Sequence, residues 1–138
     1  MTLMGLDRPP VERHTIHARA VTFLLPMPPA AAALHVDVEG GGRTPTPRYL
    51  RWKRISAEML KLQNVGRMSG HVEIEIQLEE HNRSRNCDNA IEPILDLLCA
   101  PQVGVLPENS ARCIRRITAE WSRRRVVEGA RVTIRRVE

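Results

Sequence analysis

HVEIEIQLE, residues 71–79, alternates without a break. Val72, Ile74, Ile76 and Leu78 fall on one side of an extended chain, and Glu73, Glu75, Gln77 and Glu79 on the other. A period of two is that of a half-buried β-strand. The period changes in NAIEPILDLLCA, residues 89–100, where Ile91, Ile94, Leu95 and Leu98 recur at helical spacing until Pro101 stops the run. Working toward the N-terminus, Thr46-Pro47 fits an N-cap followed by proline at the first helical position. Trp52, Ile55, Met59 and Leu62 then form a helical stripe that Gly66 can close. Its other face carries Arg51, Arg54 and Lys61. Residues 30–46, with an Ala run, Gly40–Gly42 and Thr-Pro pairs, read as a long mobile loop. Residues 16–25 read as a first strand ended by Pro26, Pro28 and Pro29. Toward the C-terminus, residues 101–110 read as a loop. Residues 112–121 and 130–137 read as two strands joined through Glu128-Gly129.

The order β-α-β-α-β-β predicts one α+β domain over residues 16–138, with a mixed four-stranded sheet and two main helices. Residues 1–15 are polar, contain Pro9-Pro10 and read as a flexible leader. A chain of 138 residues can bury a core without disulfides or structural metal. Aromatics make up only 3% of it, so that core must be aliphatic. No apolar run reaches membrane-spanning length, and MTLMGLDRPPVERHT lacks the apolar stretch of a secretory signal. Cys87, Cys99 and Cys113 are odd in number and form no C-x-x-C pair, which suggests reduced thiols and a cytoplasmic location. His14 and His17 form H-x-x-H with no further ligand cluster nearby, which weighs against zinc.

The net charge of +5 is unevenly placed. Residues 112–138 hold nine Arg and three Glu, whereas residues 1–111 are nearly balanced. Concentrated Arg suggests a polyanion partner, because its forked guanidinium matches phosphate oxygens. The competing reading is a solvated edge hairpin whose charges discourage aggregation.

The stretch before the second helix, RSRNCDN (residues 83–89), draws attention for its chemistry. In a continuous helix, Asp88, Glu92 and Asp96 at i, i+4 and i+8 would share one face. Stacked carboxylates repel unless a cation lies between them, and Mg²⁺ prefers one or two carboxylates plus phosphate and water. Glu108, in the loop after the helix, is a further candidate ligand. The bland alternative is a capping box in which Asn89 caps the helix and Glu92 reaches back, with Asp88 favouring the positive helix end and Asp96 simply solvated. No G-x-S-x-G, G-x-x-x-x-G-K or H-E-x-x-H occurs. Cys87 sits at a helix start but has no His nearby in sequence.

These residues, in this order, resemble the RusA family of Holliday junction resolvases, known from bacteria and their prophages. The family's opening strand runs into a P-x-P-P-S-x-N-like turn, similar to LPMPPA at residues 25–30. Its central R-x-D-x-D-N-x-x-K motif is matched by Arg85, Asp88 and Asn89, and its later Asp-Asp pair falls at Leu106-Pro107-Glu108-Asn109. The resemblance covers about residues 16–138. It implies a symmetric homodimer that binds four-way DNA junctions in recombination and repair, and cuts the backbone with Mg²⁺ or Mn²⁺ held by carboxylates. On this chain, it implies Asp88, Glu108 and Glu92 as metal ligands, with Asn86 orienting water or a ligand. Arg83, Arg85, Arg123, Arg124 and Arg125 would contact phosphates. The chain departs from the family where Asn86 replaces the first Asp, Glu92 the Lys, and Pro107 and Glu108 the paired Asps. An amide offers a neutral oxygen but no charge, so weak metal binding is expected. Two alternatives remain: a catalytically silent junction-binding relative, and an Arg-rich RNA- or protein-binding domain.

Overall fold

The computed structural model describes residues 14–79, 86–122 and 129–137. Six strands and two α-helices follow in the order β1 (Ala20–Leu25), β2 (His35–Asp37), β3 (Arg43–Pro45), α1 (Pro47–Leu62), β4 (Val72–Leu78), α2 (Ile91–Leu98), β5 (Ile114–Trp121) and β6 (Ala130–Arg136). The main sheet has the order β1-β6-β4-β5. β6 is antiparallel to both β1 and β4, and β4 and β5 pair in parallel across α2. The result is the expected α+β domain with a mixed four-stranded sheet. β1, β4 and β5 therefore point the same way. Leu25, Ala130, Leu78 and Trp121 lie in register at the carboxyl end of those three strands.

The alternation of β4 becomes burial. Val72, Ile74, Ile76 and Leu78 are at most 1% exposed and join Phe23, Leu25, Val132 and Ile134 in one cluster. On the other face, Glu73, Glu75 and Gln77 stand opposite Arg135, Thr133 and Arg131. Ile94, Leu97 and Leu98 of α2, with Tyr49 and Leu60 of α1, complete the core. Pro93 sits in the first turn of α2 without breaking it, because N–H groups there have no intrahelical acceptor.

The Thr46 cap forms as expected, its hydroxyl accepting from the Tyr49 N–H at 3.1 Å. The buried stripe of α1 is rotated from the expected one. Tyr49, Trp52, Ser56 and Leu60 face the core, while Ile55 is 45% and Leu62 86% exposed. A count of aliphatic residues overlooks Tyr49, whose ring is apolar, and Ser56, whose small side chain suits close packing. The helix ends before Gly66. Asn64 takes the left-handed conformation (φ 56°), and Gly66 instead leaves room for the His14 backbone and ring passing over it.

Residues 30–46 are not a structureless loop. After a short turn at Ala31–Ala33, β2 and β3 pair as a hairpin around Gly40–Gly42, all three at positive φ. Buried Leu34 anchors it, its carbonyl accepting from the Thr46 N–H at 2.9 Å. The leader over residues 1–13 lies outside the described residues. Thr15 bridges Arg67, and Arg136 donates to the carbonyls of Ile16, His17, Ala18 and Ser69, clasping this segment to the sheet. Among the described residues, no helix is long and apolar enough to cross a membrane.

Candidate functional site

The Asp88 segment lies beside the carboxyl end of the parallel strands, where α/β sheets commonly bind ligands. Residues 87–90 form a 3-10 turn, not the first turn of α2, and the Cys87 thiol donates to the Ala119 carbonyl at 3.3 Å, holding that turn against β5. The expected capping box is not made. Ala90 occupies the N-cap of α2 with no side-chain cap bond, and Asn89 uses its backbone N–H on the Asn86 carbonyl. The change of helix type also breaks the expected carboxylate row. A 3-10 helix turns about 120° per residue against about 100° in an α-helix, which swings Asp88 roughly 60° away from the line through Glu92 and Asp96. Asn86 and Asp88 are both exposed.

Glu108 lies at the opposite end of β5. Its backbone and carboxylate are neighbours of Cys113, just before the first residue of the strand, whereas the Asp88 turn is tied to Ala119. Six residue-to-residue steps separate those anchors, roughly 20 Å at about 3.3 Å per step. Within one chain, the Asp88 turn and Glu108 are thus set apart. Among the described residues, no three or more His, Cys, Asp or Glu side chains form a group able to hold a metal.

The expected phosphate contacts Arg83, Arg85, Arg123, Arg124 and Arg125 lie outside the described residues. The residues that bound their segments meet at one place. The Glu79 N–H donates to the Gly129 carbonyl at 2.9 Å, the Gly129 N–H to Glu79 Oε2 at 3.2 Å, and the Ser122 N–H to the Leu78 carbonyl at 2.7 Å. Gly129 (φ 107°) has no room for a Cβ, which would collide with the Leu25 carbonyl. The described residues that flank the two segments holding these five arginines thus lie at the same end of the sheet as the Asp88 turn.

A second cluster was not legible in the sequence. Between the hairpin, α1 and α2 lies a cleft of about 600 Å³ whose walls include His35, Lys53, Glu92, Asp96, Cys99 and Asn109. Asp96 Oδ2 accepts from the Tyr49 hydroxyl at 2.6 Å and pairs with Lys53 Nζ, which also lies 4.3 Å from the centre of the Tyr49 ring. His35 meets that ring edge-on at 5.6 Å. Burial works to raise the Asp96 pKa. Hydrogen bonds from Lys53 and Tyr49, with the charges of Lys53 and His35, outweigh it and hold the carboxyl below its ordinary value. Burial, the bond to Asp96 and the nearby carboxylates push the Tyr49 hydroxyl far up, so it stays protonated. Burial, with Cys113 and Asp96 nearby, pushes the Cys99 thiol up to about 11, which leaves it a poor nucleophile near neutrality. This cluster clamps α1 to α2. The Asp96 carboxylate, the Tyr49 hydroxyl and the Lys53 ammonium satisfy one another.

Comparison with protein-family models and with curated proteins finds no match to this chain.

Proposed function

We propose that this chain is a RusA-like, structure-selective DNA endonuclease domain that binds four-way junctions at the carboxyl end of β1, β4 and β5. The observation that supports it best is the convergence at that end. The exposed Asp88 turn and the described residues that flank both arginine-bearing segments lie together there. Arg83, Arg85 and Arg123–Arg125 would contact phosphates, and a two-fold homodimer would suit a substrate needing two symmetric cuts.

Mg²⁺ or Mn²⁺ would be held only weakly at this end. Asp88 supplies one carboxylate and Asn86 a neutral oxygen, and Mg²⁺ is commonly held by one or two carboxylates together with substrate phosphate and water. When bound, such an ion supplies charge stabilisation to phosphodiester hydrolysis. Asp88 would hold the ion near the phosphate, Asn86 would orient water or a ligand, and the arginines would place the backbone. Glu92, set in the wall of the cleft between α1 and α2, is turned from Asp88 and does not join them. Glu108 enters this reading only from elsewhere, since its own chain sets it at the far end of β5. That placement favours a second reading, a junction-binding domain that does not cut.

Labelled four-way junction, duplex and single-stranded RNA, each with Mg²⁺ and with chelator, separate the readings. Cutting that needs Mg²⁺ and Asp88 supports the nuclease, and Asn86→Asp should accelerate it by adding a carboxylate of nearly the same size. Tight junction binding with no cutting, unchanged by Asn86→Asp, supports the silent binder. Equal binding to all three polyanions leaves neither.

A further inference from the structure

The outer face of α1 carries charge that the fold does not use. Five of its residues are basic and one is acidic. Lys53 is taken up by Asp96, and Lys61 lies 3.5 Å from Glu58. Arg48, Arg51 and Arg54 are exposed, and none forms an ion pair with a described residue. At successive i+3 positions, they are surface neighbours along one ridge. Beside that ridge, Arg48, Arg51, Trp52 and Ile55 face the chain from Pro26 to Ala30 across a groove of about 470 Å³. Its far wall is fixed, because Trp52 Nε1 donates to the Pro26 carbonyl at 2.8 Å.

The groove belongs to the same end of the sheet as the Asp88 turn. Its Pro26–Ala30 wall follows directly from Leu25, the last residue of β1, which pairs with Ala130. Gly129 packs against the backbone of Leu25, Pro26 and Met27. From β1 to β5 is three strand spacings, roughly 14 Å, close to the ~12 Å width of the B-DNA major groove. We propose that Arg48 and Arg51, with the apolar groove between them and Pro28-Pro29, form an additional contact for a duplex DNA backbone. Phosphates meet the two guanidinium groups, and the apolar faces of the adjoining sugars lie along Ile55 and the prolines. This rests on the DNA-binding reading above and adds residues that reading does not employ. A second copy of this chain is the poorer occupant, since it would bring one arginine ridge against another. An acidic peptide supplies charge, but not the alternation of sugar and phosphate that an apolar wall beside arginines matches.

The full chain and its Arg48→Ala/Arg51→Ala variant are titrated against labelled duplex DNA over a range of salt, with circular dichroism to confirm equal folding. Each phosphate contact contributes about 0.9 to the log–log salt slope, so the slope should fall by about 2. Arg48→Lys/Arg51→Lys, which keeps the charge, should retain most of it. An unchanged slope in the alanine variant overturns the proposal. So does a variant that loses binding to polyglutamate while keeping its DNA affinity. The outcome is separable from the junction reading. Equal affinity for duplex and junction would end that reading yet leave a slope change in place, whereas junction preference with an unchanged slope would do the reverse.

Discussion

At the cleft between α1 and α2, Asp96 takes the Tyr49 hydroxyl and the Lys53 ammonium on one oxygen, and the Lys53 side chain is only 12% exposed. At the carboxyl end of β1, β4 and β5, Asp88, Arg48 and Arg51 stand in solvent without ion pairs to described residues. Both regions concentrate charge, yet they differ in what that charge can do. Groups that satisfy one another stabilise the fold and have little left for a ligand. Exposed groups contribute little to stability and remain available to a partner. Perturbed proton affinity, the usual pointer to a site, here marks the structural cluster instead.

The sharpest way to break this contrast is to remove each aspartate. Asp96→Ala strands the mostly buried Lys53 and the Tyr49 hydroxyl. Discounted for the half-exposed carboxylate, urea denaturation should show a loss of about 2–3 kcal/mol with little change in DNA affinity. Asp88→Ala should change stability by no more than about 0.5 kcal/mol, while altering DNA binding or cutting. Equal stability losses at the two positions would erase the distinction.

Tyr49→Phe should cost about 1 kcal/mol for the lost hydrogen bond and should also change the alkaline limb of the stability curve. The folded Tyr49 pKa is raised, so the unfolded chain releases this proton first. Its contribution is present below the unfolded value near 10 and declines as pH rises beyond it. Thermal melts between pH 9 and about 11 should lose less stability in the Phe variant than in the parent. The acid limb runs the other way for Asp96. Its folded pKa is lowered, so its contribution is present above the unfolded value near 3.8 and is lost as pH falls through the folded one. Asp96→Asn should flatten that limb. A steep acid limb that survives the substitution would assign it to other carboxylates.

The most local expected effect is at the start of α1. Thr46 caps the helix and also donates its hydroxyl to the Ala33 carbonyl at 2.6 Å. Thr46→Ala should cost about 1 kcal/mol. Because the same residue joins α1 to the hairpin segment beside the cleft, hydrogen exchange should quicken around residues 31–46 and not at β5. Uniform quickening would show that the two regions unfold together.

Much of the fold was legible residue by residue. The alternation of Val72, Ile74, Ile76 and Leu78 announced β4, and the spacing of Ile94 and Leu98 announced α2, because each element must bury one face. Thr46-Pro47 announced the start of α1, since capping is a local matter. The hairpin at residues 35–45 was hidden because it is short, exposed and glycine-rich. It is held by Leu34 and Thr46, not by an alternating pattern of its own. The candidate site was legible in part. Asp88-Asn89 stood out, but the 3-10 geometry that turns Asp88 away from Glu92 did not.

The sequence by itself determined the α+β order, the polarity of each sheet face and the excess of arginine, because periodicity, capping and charge are properties of neighbouring residues. Only the tertiary structure decided which charges are consumed. It joined Tyr49, Lys53 and Asp96 across two helices, carried Glu108 to the far end of β5, and brought Pro26–Ala30, Gly129 and the Asp88 turn to one end of the sheet. Those outcomes follow from strand order and register. Pairing among β1, β6, β4 and β5 sets which distant residues meet, and no local pattern encodes that order.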